Sequence, residues 1–336
     1  MSAAAPLRAF LRDAAGGGLP PFLRDLSPVV LGSMAAIFGL LAVATLVVWL
    51  LGRLRPGLDL GEVRLRVRSW WVMAAVFAVA MAVSRTVSLL FFAFVSFLAL
   101  KEYLSLVPTR RADRRVLFWA YLAIPIQYLW VGMHWYGMFI IFIPVYMLLF
   151  LPLRMILIGE TPGFLRAVGT LHWGLMTTVF AISHVAFLLV LPPLATPRGA
   201  TAGGAALVLY LVVLTQLNDV AQFLWGKALG RHKVVPKVSP GKTVEGFLGG
   251  VATTVALALA VAPWLTPFDR WHAVATGLII GVGGFIGDVV ISALKRDLQI
   301  KDSGTLLPGH GGILDRIDSL TYTAPLIFHF TWYFHY

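Results

Sequence analysis

The sequence predicts an all-α, polytopic integral membrane protein of about nine or ten transmembrane helices, with cytoplasmic polar loops forming the candidate active site. Three observations carry that expectation. Hydrophobic residues make up 59% of the 336 positions and charged ones 12%, with mean hydropathy +0.85. Soluble domains hold roughly 25% charged residues, so no soluble core is expected here. The apolar residues fall into runs long enough to cross a bilayer. The basic residues, 27 Lys and Arg against 15 Asp and Glu, cluster in short loops between those runs. A net charge of +12 distributed this way reads as the positive-inside pattern, and no nucleic-acid partner is expected. The absence of cysteine excludes disulfides, thiolate metal sites and a cysteine nucleophile.

In chain order, residues 1–27 form an N-terminal extension with Arg8, Arg12, Arg24 and a Pro20-Pro21 pair. The run 29–51 is long enough to span outright, and lacks the short core and cleavage site of a signal peptide. Loop 52–68 carries Arg53, Arg55, Arg64, Arg66 and Arg68, and loop 101–115 carries Lys101, Arg110, Arg111, Arg114 and Arg115; both read as cytoplasmic. The apolar run 69–100 between them, interrupted at Ser84-Arg85, then needs an even number of crossings and reads as a tight helical hairpin. Runs 116–131 and 136–153 follow, split by an aromatic turn at 132–135, and 154–166 returns to the cytoplasm. Next come a span at 171–191, a Pro/Gly loop at 192–204, a span at 205–224 and a cytoplasmic polar block at 225–246. Spans at 247–265, 273–291 and 319–334 complete the chain, with a second polar loop before the last. The organisation expected is an extension (1–27), an N-terminal transmembrane region (28–170) and a C-terminal catalytic transmembrane domain (171–336).

The chemistry concentrates in residues 292–318, SALKRDLQIKDSGTLLPGHGGILDRID. Lys295, Arg296, Lys301 and Arg316 stand there beside Asp297, Asp302, Asp315 and Asp318, with Gly311 and Gly312 after His310. Cations clamp phosphoryl oxygens, carboxylates hold Mg²⁺, and glycines let backbone N–H groups approach an anion. Asp288, Ser292 and Lys295 recur at i, i+4 and i+7, on one face of the preceding helix. Asp315 and Asp318, at i and i+3, share one side of the next helix start, where negative charge is favoured.

This run resembles the signature of the phosphatidate cytidylyltransferases, or CDP-diacylglycerol synthases, through Ser292, Lys295, Arg296, Lys301, Asp302, Gly304, Pro308, His310, Gly311, Gly312, Asp315, Arg316 and Asp318. Residues 217–250 resemble the family's other polar segment through Asn218, Asp219, Gly226, Ser239, Pro240, Lys242, Thr243, Glu245 and Gly246. They depart from it at Val220, Ala221, Gln222 and Phe223, where the family shows Thr-Gly-Ala and an aromatic, which bears on subgroup and lipid preference. The resemblance implies transfer from CTP to phosphatidate, giving CDP-diacylglycerol and pyrophosphate. It implies Mg²⁺, for which Asp288 and Asp315 are the candidate ligands, and a second cation such as K⁺. Lys295, Arg296 and Arg316 are the candidate phosphate clamps. Asn218, Asp219, Ser239, Lys242, Thr243, Ser292, Lys301, Asp302, His310, Gly311, Gly312 and Asp318 are the candidate substrate contacts. The expected setting is the cell membrane, with the active site facing the cytoplasm and a homodimer as the candidate assembly.

Each of these has a plainer reading. Lys295 and Arg296 could be snorkelling anchors at a helix end. His134, His172, His184, His329 and His335 read as packing or interfacial groups, and the Gly277/Gly281 G-x-x-x-G reads as a helix-packing motif. A phosphate-loop NTPase is rejected, because that motif needs glycine where the chain has Pro236. Two rival functions stand beside the cytidylyltransferase: a CTP-using enzyme acting on another lipid phosphate or alcohol, and a transporter whose buried charges conduct ions. No internal repeat stands out, which weighs against the transporter.

Overall fold

The computed structural model describes residues 27–55, 57, 59–110, 112–304 and 311–336, so residues 1–26 of the extension and His310 lie outside the described residues. Helix follows helix: α1 Pro28–Leu54, α2 Gly61–Val83, α3 Arg85–Leu106, α4 Arg114–Gly132, α5 Tyr136–Ile156 and α6 Phe164–Val190. A two-residue hairpin, β1 Leu194–Ala195 with β2 Thr201–Ala202, precedes α7 Gly204–Leu229. Then come α8 Val244–Leu265, α9 Arg270–Asp297, the single turn α10 Leu314–Ile317, and α11 Leu320–His335. Among the described residues, eight of these are long and apolar enough to cross a membrane; α4 and α11 pack in the same bundle but fall short of that measure.

The break expected at Ser84-Arg85 is real, with Ser84 extended and its hydroxyl accepting from the Val87 N–H as the cap of α3. The two helices form the tight hairpin expected, joined through Ser84 alone with the Ser88 hydroxyl donating to the Ala80 carbonyl, but each is longer than the run 69–100 allows, at more than 20 residues. The reason is that Arg64, Arg66 and Arg68 are not loop residues. Asp59 accepts from the Gly61 N–H at 2.9 Å to start α2, and Glu62 pairs with Arg66 one turn on. Similarly, α9 runs past 291 to Asp297 and carries Lys295 and Arg296 in its last turn, where cations suit the helix dipole. Helix α6 is continuous through position 170, at which the sequence reading divides the chain.

Lipid tails are as apolar as leucine, so helices in a membrane associate through close packing and polar contacts rather than the hydrophobic effect. The α7–α8–α9 unit shows this. A Cβ at Gly277 would lie 2.7 Å from the Val255 Cα, and one at Gly281 would lie 3.1 Å from the Val251 Cα, so the G-x-x-x-G brings α9 onto α8. Buried Asn218 of α7 accepts from Thr254 at 3.0 Å and donates to the Gly281 carbonyl at 3.4 Å, tying the three helices together.

Loops at each end bind one another. At one end Arg110 donates to the carbonyls of Glu160 and Pro162, Glu102 meets Ser303, Ile313 and Leu314, and Arg296 donates to the Val238 carbonyl. At the other, Arg85 donates to the Val190 carbonyl and touches His134, and Tyr336 donates to the Pro192 carbonyl. Both polar blocks therefore lie at the first end. Since the chain has no native cysteine, an impermeant maleimide should label single cysteines at Ser239 and Lys301 from one side of the membrane, and one at Pro197 from the opposite side. Labelling of Ser239→Cys and Lys301→Cys from different sides would refute the shared end.

Candidate active site

Three helix ends and two loops build the polar end of the C-terminal unit. From α7 come Asp219 and Gln222, from the loop before α8 comes Lys242, and from α9 come Asp288, Ser292, Lys295 and Arg296. The segment after α9 adds Ser303, Asp315, Arg316, Asp318 and Ser319. Gly287 is what lets this segment close on α9: a Cβ there would lie 2.3 Å from the Asp318 carbonyl oxygen.

The carboxylates divide into two groups. Asp288 Oδ2 is 2.5 Å from Lys242 Nζ, and its Oδ1 accepts from the Ser292 hydroxyl at 3.2 Å. The i, i+4 face predicted for Asp288 and Ser292 is thus formed. Lys242 also donates to Gln222 Oε1 at 3.3 Å. Asp219 accepts from the Ser319 hydroxyl at 3.0 Å, and Asp219, Asp288 and Asp318 lie within one another's field, opposed by Lys242 and Arg316. Burial pushes the Asp318 carboxyl well above the ordinary carboxylate range, and the charges of Asp288 and Asp219 add to the push. The Nε of Arg316 is buried and has no hydrogen-bond partner among the described residues.

Asp315 belongs to a second group. Its Oδ1 accepts from Lys295 Nζ at 2.6 Å, its Oδ2 accepts from the Ser303 N–H and the Gly312 N–H at 3.0 Å, and the Ser303 hydroxyl, 2.9 Å from the same Oδ2, shares its one proton between Asp315 and Glu102. Burial works against its charge, yet Lys295 and these N–H donors hold its carboxyl below the usual range. Gly311, at φ +80°, adopts a left-handed turn and would put a Cβ 2.5 Å from the same Oδ2. The two aspartates paired in the sequence as ligands of one ion are thus held by different lysines, and Asp288 shares its field with Asp219 and Asp318.

Other predicted residues have structural partners here. Thr243 caps α8 by accepting from the Gly246 N–H at 3.1 Å, and Asn218 has both ends of its amide engaged in helix packing. Ser239 sits in the turn that carries Lys242, its carbonyl accepting from the Lys242 N–H. Arg296 bridges the two polar blocks through backbone carbonyls, Nε to Val238 at 3.1 Å and Nη1 to Ile300 at 3.3 Å. Lys301 and Asp302 are exposed. Sequence reasoning missed Gln222, Ser319 and Glu102. Gln222 was visible only as a departure from a familiar pattern, and Glu102 lay among the charges of a basic loop.

A metal fits the first group by chemistry, since carboxylates are the hard oxygen donors Mg²⁺ prefers. Among the described residues no three acidic or histidine side chains converge tightly enough to hold an ion unaided. Mg²⁺ is ordinarily held by one or two carboxylates together with substrate phosphates, so an open donor set is the form expected.

Comparison with known proteins adds the following. The model of the cytidylyltransferase family matches residues 64–334. The chain is 49% identical to uncharacterized protein YnbB of Escherichia coli K12 over 302 residues, 90% of this chain and 98% of that one. It is 41% identical to phosphatidate cytidylyltransferase of Staphylococcus aureus over 126 residues, 37% of this chain and 48% of that protein. The corresponding Staphylococcus epidermidis protein is 36% identical over 125 residues. The match thus spans about half the length of these staphylococcal relatives.

Lys295 and Asp315 are both largely buried, at 14% and 7% side-chain exposure. Removing one partner of such a pair leaves an uncompensated charge, at a cost of about 3–5 kcal/mol. Thermal unfolding in detergent should show Lys295→Met and Asp315→Leu each strongly destabilised and the double variant more stable than either. Additive losses would contradict a coupled pair.

Proposed function

This chain belongs to the cytidylyltransferase family, and we propose that it converts CTP and phosphatidate to CDP-diacylglycerol and pyrophosphate. One observation carries the reading: three carboxylates from separate elements face two cations at one end of the bundle, and one of those cations, Arg316, has a buried N–H without an acceptor among the described residues. An unmet buried donor is costly, and a phosphate oxygen is the acceptor that a guanidinium fork suits. The staphylococcal relatives support phosphatidate as the second substrate.

In this reaction a phosphate oxygen of phosphatidate attacks the α-phosphorus of CTP. The new P–O bond forms as the bond to the β-phosphate oxygen breaks, and pyrophosphate leaves with that electron pair. The attacking oxygen is already anionic, so no side chain need remove a proton. What the protein supplies is positioning and charge neutralisation. Arg316 and Lys242 contact phosphoryl oxygens; Lys242 is held for that by Gln222 and Asp288. Asp219, Asp288 and Asp318 would hold Mg²⁺, which would supply charge neutralisation for the phosphoryl oxygens. Lys295 fixes Asp315 and through it the turn at 311–312, so its part is in shaping the loop. A second cation such as K⁺ rests on the family resemblance alone. The basic loops support a cytoplasmic position for this end.

The test is incorporation of labelled CTP by the purified protein with Mg²⁺ and either phosphatidate or an isoprenoid phosphate or alcohol. Label should enter a CDP-lipid with phosphatidate, with pyrophosphate released. Release of CDP would instead identify a CTP-using kinase, and ion flux in liposomes without turnover would identify a transporter. Asp288→Asn and Asp219→Asn should each lower turnover by at least roughly a hundredfold at any Mg²⁺ concentration, with folding intact.

A further inference from the structure

Glu102 lies near the end of α3, 201 residues before Ser303, yet it makes hydrogen bonds to three residues of the segment that carries the site. Its Oε1 accepts from the Ser303 hydroxyl at 2.6 Å and from the Leu314 N–H at 3.0 Å, and its Oε2 accepts from the Ile313 N–H at 2.9 Å. Ser303 in turn reaches Asp315, whose other oxygen receives Lys295. A chain of contacts therefore runs from α3 to the last turn of α9. Two glycines record how tight the fit is. A Cβ on Gly304 would lie 2.8 Å from Glu102 Oε2, and one on Gly312 would lie 2.1 Å from Glu102 Oε1.

We propose that Glu102 is a positioning residue for nucleotidyl transfer: a carboxylate from the N-terminal half that clamps residues 303–304 and 312–314, and thereby sets Asp315, Arg316 and Asp318 against α9. The inference rests on the function proposed above. Three donors converge on this one carboxylate, two of them backbone N–H groups that α10 cannot satisfy within itself. Hydrogen bonds to a charged acceptor are about twice as strong as neutral ones, so this clamp is well suited to fix the loop. The N–H groups of Gly312, Ile313 and Leu314 are all donated to Asp315 or Glu102, so these glycine-rich residues act by shaping the loop rather than by offering backbone donors to an anion.

The test uses the full-length purified protein. Glu102→Gln retains size but presents an NH₂ to groups that are themselves donors, and should lower kcat at least roughly tenfold with the KM for CTP within about threefold and the melting temperature near wild type. Gly304→Ala, whose Cβ would meet the Glu102 carboxylate, should cost a similar factor alone and nothing further in a Glu102→Ala background, where that carboxylate is gone. A single cysteine at Ile313 should react with maleimide several-fold faster once Glu102→Ala is added. Wild-type kcat in Glu102→Gln with additive loss in the double variant would overturn the clamp, as would a lower KM for CTP, which would mark Glu102 as a stand-in for substrate phosphate. If the wild-type protein makes no CDP-lipid from phosphatidate, the proposed function fails, and the Ile313→Cys labelling alone decides the clamp: unchanged reactivity rejects it.

Discussion

An ionised carboxylate at the border of an apolar helix is unstable unless donors or cations meet it, by several kcal/mol for each unmatched charge. Asp219 and Asp288 lie inside α7 and α9, Asp315 and Asp318 in and just after α10, and the arrangement of this end of the protein follows from how each is matched. Lys242 must reach over from its loop to Asp288, which fixes the path between α7 and α8. Lys295 must point from the last turn of α9 to Asp315, which ties the start of α10 to that helix. Ser319 must sit beside Asp219, which sets the start of α11. Matching is incomplete in the first group, where three carboxylates share one field, and that crowding is the feature on which the proposed metal and phosphate site rests.

The spans themselves were legible because hydropathy and length act locally: an apolar run in a membrane has little choice but to be a helix. The break at Ser84 was legible for the same reason, as a polar cap between two apolar runs. Boundaries were less so. Arg64, Arg66 and Arg68 looked like loop because charge was taken to end a span, whereas the Glu62–Arg66 pair and the Asp59 contact extend α2 into the aqueous layer. Such an extension costs little there, since those side chains remain in water.

The residue types of the site were visible in the sequence, but their partners were not. Asp288 and Asp315 looked equivalent because both border helices; only the packing of α7 and of the loop before α8 against α9 brings Asp219 and Lys242 to the first, and only tertiary contacts bring Ser303 and Gly312 to the second. Glu102 had no signal at all. An acidic residue beside a lysine in a basic segment is ordinarily solvated, and what makes this one different is a set of backbone N–H groups more than 200 positions away.

Arg296 shows how the two halves of the site depend on each other. As an anchor it would point to lipid headgroups, and as a phosphate clamp it would leave its fork free. Instead its Nε and Nη1 each donate to a backbone carbonyl, one in each polar block. A guanidinium suits this place because its donors diverge in one plane and can reach two acceptors at once, whereas an ammonium is a point charge without that fixed geometry. The loop that positions Lys242 is therefore tied through Arg296 to the helix that positions Asp288. Cation and carboxylate are held in register by a residue that need touch neither substrate.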